Sequence, residues 1–199
     1  MRKRTACRIV IIQGHPDPRP GHLGHALAQA YATGATRAGH DVKVIDVALL
    51  EFPLLRSKQD WETRDPPEPL RDAQRTISWA DHLVICYPLW LGSMPALLKA
   101  FFEQVFRPEF AVAKPASGNL WKKLLVGKSA RIVVTMGMPA FVYRWYFLAH
   151  SLRSLERNIL RFSGIGPITT SLFGLVEANN DARRQKWLAK MHALGERAI

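Results

Sequence analysis

The chain has 199 residues, 48% of them hydrophobic, and a formal net charge of +12. That size and apolar content suit one α/β domain with a full core, residues 1–199, and no repeat or low-complexity tract is present. The charge is uneven, with 13 Lys/Arg against 4 Asp/Glu from Leu120 onward. The basic residues are scattered along helical stretches without a nucleic-acid motif, so solvated helix faces account for them better than nucleic acid does.

The start, Met1-Arg2-Lys3-Arg4, is basic, but the apolar run Ile9 to Ile12 is shorter than the roughly 7–15 residues of a signal-peptide core. No run reaches the roughly 18–20 apolar residues of a membrane span. The expectation is a cytoplasmic protein, and Cys7 and Cys86, without metal-ligand spacing, fit a reducing compartment. Arg8 to Gln13 (RIVIIQ) reads as a buried strand. It ends in the turn-rich loop Gly14-His15-Pro16-Asp17-Pro18-Arg19-Pro20-Gly21-His22, and Leu23 to Ala38 follows as a helix. A loop feeding a helix N-terminus offers free N–H groups to an anion, and His15, Arg19 and His22 could add donors. A plain β–α turn with incidental histidines is the alternative. Gly39 stops the helix, and Asp41 to Val47 alternates as a second strand. A charged, proline-rich segment runs to Pro69, with Trp61 read as core or as a partner contact. Leu70 to Trp79 is a second helix. The sequence lacks Gly-x-Gly-x-x-Gly after the first strand, so Asp46 is not assigned a ribose.

Leu83 to Tyr87 is a third buried strand, and Pro88, without an N–H, closes its ladder. The loop Pro88-Leu89-Trp90-Leu91-Gly92-Ser93 follows, and Met94-Pro95 opens a helix with Leu97, Leu98, Phe101, Phe102 and Val105 at helical spacing. In an open α/β sheet the crevice at the carboxyl ends of the strands takes the ligand. Trp90 is therefore either a platform for a flat ring or ordinary core. After Arg107-Pro108-Glu109-Phe110-Ala111 a polar excursion to Lys128 reads as a lid or dimer contact. Gly127-Lys128-Ser129 lacks the upstream glycine of a P-loop. Ala130 to Thr135 is the fourth strand and runs into Met136-Gly137-Met138. Arg144 to Phe162 reads as one long helix, Ile165 to Phe173 as the fifth strand, and Asn179 to Ala198 as a final helix.

The segment Pro88 to Phe106, PLW-x-G-S-MPA-x-LK-x-FF-x-x-VF, resembles the hallmark of the flavodoxin-like NAD(P)H:quinone reductase family. The likeness extends from Arg8 to about Phe173, with His15-Pro16, Ala26-Leu27, Thr135 and Gly137 as further matches. The middle of the first loop departs from the family pattern, because Pro20 to Gly24 offers no hydroxyl. The resemblance implies a flavodoxin-like three-layer α/β/α fold with a five-stranded parallel sheet in the order 2-1-3-4-5. It implies a flavin, FMN with FAD as the alternative, with its ring on Pro88, Leu89, Trp90 and Leu91. The phosphate would lie on His15, Arg19, Gly21, His22 and Leu23, and the polar edge of the ring on Thr135, Met136 and Gly137. NAD(P)H would be the co-substrate and a quinone-like molecule the acceptor, met by Tyr143 and His150, although either residue could equally be structural. A homodimer is implied, with no metal. The alternative is a non-catalytic flavodoxin-like module regulating a membrane transport system.

Overall fold

The computed structural model describes residues 6–63, 65–114, 121–178 and 180–199. Five strands form one parallel sheet: β1 (Arg8–Gln13), β2 (Asp41–Asp46), β3 (His82–Pro88), β6 (Ser129–Thr135) and β7 (Ile168–Phe173). They lie in the order β2-β1-β3-β6-β7, which is the expected 2-1-3-4-5 once a small hairpin is set aside. That hairpin pairs β4 (Val112–Ala113) with β5 (Lys122–Lys123). It frames the polar excursion, whose stretch 115–120 lies outside the described residues.

The central strands β1 and β3 are apolar at nearly every position because both faces of the sheet are covered there, whereas the edge strands β2 and β7 carry polar residues. Along β3, Leu83, Ile85 and Tyr87 enter one core while Val84 and Cys86 enter the other, as a two-residue period requires. The first core is closed by α3 (Glu68–Trp79), through Leu70, Ala73 and Ile77, and by α4 (Ala96–Val105), through Leu98, Phe101, Phe102 and Val105. The second is closed by α1 (Leu23–Arg37) and α7 (Asp181–Glu196), through Leu27, Tyr31, Met191 and Leu194. These two helices touch backbone to backbone. A Cβ on Gly34 would sit 2.1 Å from the His192 carbonyl oxygen, and one on Gly195 would sit 2.1 Å from that of Tyr31.

The expected strands and helices fall within a few residues of their observed bounds. The ladder of β3 includes Pro88, opposite Thr135, and the N–H of Leu89 donates to the Thr135 carbonyl at 2.8 Å. The charged segment after β2 also holds a short helix, α2 (Lys58–Thr63). The one substantial difference is the expected helix over 144–162. The chain forms α5 (Ala140–Trp145), breaks, and resumes as α6 (His150–Ser154), which runs on as a π-helical stretch over Leu155–Arg161. The break is physical: Leu148 and Ala149 have φ of 52° and 48°, and two left-handed residues cannot continue a right-handed helix. The wider π turn suits Leu155 and Leu160, five residues apart and both fully buried. Among the described residues, no helix is long and apolar enough to cross a membrane.

Candidate functional site

Strands β1, β3 and β6 are neighbours, so the three loops at their carboxyl ends share one edge of the sheet. The β1–α1 loop is tied to β3 at its start, where the Gly14 N–H donates to the Cys86 carbonyl at 2.7 Å. Asp17 organises the rest. Its carboxylate accepts from Arg19 through Nε at 2.9 Å, Nη2 at 2.6 Å and the backbone N–H at 3.0 Å. The His22 Nε2 lies 3.1 Å away. The Arg19 guanidinium holds the Asp17 carboxyl far below the usual carboxylate range. His15 Nδ1 sits 3.1 Å from both the N–H and the carbonyl of Asp17. A neutral ring accepts there and a charged ring donates, so both forms of His15 are accommodated.

Three imidazoles gather on this loop. His15 and His22 stack with centroids 4.0 Å apart, and His25 stands edge-on to them at 5.3 and 5.5 Å. Burial first, then the neighbouring rings, push the pKa of His15 below the ordinary imidazole value. Burial also leads the downward shift of His25, with His22 adding to it and Asp46 and Asp17 opposing it. The His25 Nε2 is buried with no hydrogen-bond partner among the described residues. Sequence reading missed His25 and Asp17; the i, i+3 spacing of His22 and His25, which places both on one helix face, was the available signal.

The second loop touches the first, because the Trp90 ring meets His15 edge-on at 5.8 Å. Trp90 and Ser93 exchange two backbone hydrogen bonds of 2.9 Å each. Leu91 and Gly92 between them have φ of 47° and 76°, the positive pair of a type I′ turn. This tight turn leaves Trp90 half exposed and Leu91 wholly exposed, making an open apolar shelf. In the third loop Thr135 and Met136 are buried and Gly137 is exposed. The Met136 N–H donates to the Phe173 carbonyl at 2.9 Å. Across the start of α1 lies a cleft of about 710 Å3, bordered by Gly21, His22, His25, Glu177, Asp181 and Arg184.

The two residues expected at an acceptor are placed differently from one another. Tyr143 is buried; its hydroxyl lies 2.8 Å from Ser151 Oγ and accepts from the Leu152 N–H at 3.2 Å. His150 is exposed as the first residue of α6. Around the break an aromatic surface that sequence reading did not separate from the helix faces outward: Phe141, Trp145, Tyr146, Phe147 and Leu148. Cys86 is a free thiol in the core, its pKa pushed up to about 12 by burial. Among the described residues no cluster of His, Cys, Asp and Glu could hold a metal ion.

Comparison with known proteins gives one family. The family model Flavodoxin_2, described as a flavodoxin-like fold, matches residues 7–194. An uncharacterized NAD(P)H oxidoreductase of Haemophilus influenzae is 25% identical over 197 residues, 93% of this chain and 96% of that protein. A ribosyldihydronicotinamide dehydrogenase [quinone] of Pongo abelii is 26% identical over 206 residues, 92% of this chain and 87% of that one. Among solved structures, the FMN-dependent NADH-azoreductase of Bacillus anthracis in complex with FMN superposes with a TM-score of 0.77. It shares 14% identity, covers 96% of this chain and 98% of that one, and is a likeness of fold.

Proposed function

The chain belongs to the flavodoxin-like NAD(P)H:quinone oxidoreductase family, and from that premise we propose that it carries hydride from NAD(P)H, by way of bound FMN, to a quinone or similar acceptor. The observation that carries this reading is the meeting of three loops at one sheet edge. A half-exposed Trp90 shelf stands directly beside the imidazole cluster. The residues fit the group. A flat ring finds apolar surface on Pro88, Leu89, Trp90 and Leu91, and its polar edge finds Thr135, Met136 and Gly137. An anion finds the His15, Arg19, Gly21, His22 and Leu23 loop, where the His25 Nε2 lacks a partner.

The flavin when bound supplies a two-electron acceptor and donor; the protein contributes orientation and exclusion of water on the shelf side. On the acceptor side we read the exposed His150 as the group that hydrogen-bonds an incoming oxygen. Tyr143 as seated holds the turn that carries His150, and reaching an acceptor would require it to leave Ser151. The aromatic surface over Phe141 to Leu148 suits contact with a second copy, in keeping with the dimer the resemblance implies, and we read the protein as cytoplasmic. One observation favours FAD as the second reading: the cleft of about 710 Å3 beside the phosphate loop leaves space for a further nucleotide.

The test is the visible spectrum of the purified protein, alone and after addition of FMN or FAD. Bands near roughly 370 and 450 nm that travel with the protein are expected, followed by NAD(P)H oxidation once a quinone is supplied. A protein that takes up neither flavin would sink this reading and leave the non-catalytic regulatory module as the one to pursue.

A further inference from the structure

The loop from Gly14 to Leu23 carries no hydroxyl side chain, so an anion there must be met by backbone, by Arg19 or by imidazole. Asp17 already offsets the charge of Arg19. What remains is three rings within 4.0 to 5.5 Å of one another. Rings this close resist being protonated together, since each positive charge disfavours the next. A dianion placed among them reverses that balance. Resting on the flavin reading above, we propose that His15, His22 and His25 form a proton-linked receptor for the 5′-phosphate of the flavin, binding it with uptake of at least one proton.

The charged groups facing the cluster are four carboxylates, Asp17, Asp46, Glu177 and Asp181, against two guanidiniums, Arg19 and Arg184. Asp17 and Arg19 pair within the loop. Asp46, at the end of β2, borders the same recess as His25 and accepts from the Ala48 N–H. Glu177, Asp181 and Arg184 face His22 and His25 across the cleft. Trp90 closes the β3 side without charge. The carboxylates outnumber the two guanidiniums, so the further positive charge a phosphate needs comes from the rings. His15 and His25 start from pKa values held below the ordinary imidazole value, which leaves them neutral near pH 7. The bound anion raises them, because an opposite charge favours the charged form. Binding therefore takes up protons, and affinity falls as pH rises through the raised values. The phosphate's own second ionisation, near pH 6, acts in the opposite direction. The informative window therefore lies above pH 7.

The experiment compares FMN with riboflavin, which lacks the phosphate, by fluorescence quenching from pH 7 to 9. Titration calorimetry in two buffers of different ionisation enthalpy counts the protons. FMN affinity is expected to fall by up to about tenfold per pH unit for each proton taken up, while riboflavin affinity stays flat. His22→Asn and His25→Asn should each reduce the slope and the proton count for FMN and leave riboflavin binding in place. Equal, flat profiles for the two flavins with no proton uptake would overturn the receptor while leaving the flavin site intact. A slope that persists unchanged in both variants would also overturn it. Failure of both flavins to bind at any pH would remove the flavin reading and this inference with it.

Discussion

Histidine meets two opposite fates in this molecule. At the carboxyl edge of the sheet a buried His15 and the partly exposed His22 and His25 crowd together, the first two against Asp17. At the amino end of the same sheet His82 opens β3 in full burial, with its Nδ1 2.7 Å from Ser129 Oγ and its ring 6.4 Å from that of Tyr31. Burial, helped by nearby Arg131, lowers the His82 pKa to about 4, so it is a neutral packing group at any physiological pH. The difference is one of solvent access and of neighbours that can change. His82 sits among fixed partners in the core, whereas the edge cluster faces a cleft from which an anion can approach. One region maintains the fold and the other is poised to respond.

The sharpest way to test that division is to damage each region and ask whether the other notices. Arg131 is buried at the fold end; its Nε donates to the Ile199 carbonyl at 2.6 Å and its Nη1 to Ser171 Oγ at 2.7 Å. Arg131→Ala removes two charge-assisted bonds and should cost about 3 kcal/mol of unfolding free energy, read by urea denaturation. Flavin affinity in the surviving folded protein should be unchanged. Trp90→Ala should do the reverse. The ring is half exposed, so stability should stay within about 0.5 kcal/mol. Flavin affinity should weaken by about 1–3 kcal/mol in the same quenching assay, the usual worth of an aromatic platform. Unchanged affinity would mean that the shelf does not hold the ring.

Acid separates the two regions next. His82 has a folded pKa near 4, below its unfolded value of about 6.5. Between those values the unfolded chain binds a proton that the folded chain refuses. This residue therefore costs no stability above about pH 6.5, and its cost grows as pH falls toward 4, by up to about 1.4 kcal/mol per pH unit. His82→Asn should flatten that part of the stability profile. His25→Asn should alter it little, because its ring is only partly buried.

Much of this organisation was legible in the sequence. Runs such as RIVIIQ and LVICY are apolar at consecutive positions because both faces are covered, and their short length and β-branched content point to buried strands. The shelf was legible too, since Pro88, Gly92 and Pro95 bracket Trp90. The break at Tyr146 to Ala149 was not. The stretch from Arg144 to Phe162 contains neither glycine nor proline, and its left-handed residues are a leucine and an alanine. What holds them is tertiary: the Ala149 N–H donates to the Tyr143 carbonyl at 3.0 Å, and the Tyr143 hydroxyl accepts the Leu152 N–H. The edge cluster was half legible. His15 and His22 lie in the loop and His25 lies in the first turn of α1, so its membership depends on how the loop folds back over the helix.

Leu91 offers the finest test. It is wholly exposed, buries nothing within the chain, and holds a φ of 47° that costs a non-glycine residue roughly 1–2 kcal/mol. Asparagine tolerates that conformation and leucine does not, so Leu91→Asn should raise unfolding free energy by about 0.5 kcal/mol. A gain on substitution would mean that the side chain is held at the tip of the turn, against local preference, for a contact made outside the folded chain. The same variant should then lose quinone turnover while binding flavin nearly as well, because the shelf beneath is Trp90 and the tip faces whatever approaches from solvent. If stability rises and turnover is untouched, the leucine is incidental. If stability falls, the turn is not strained and the edge is as settled as the amino end of the sheet.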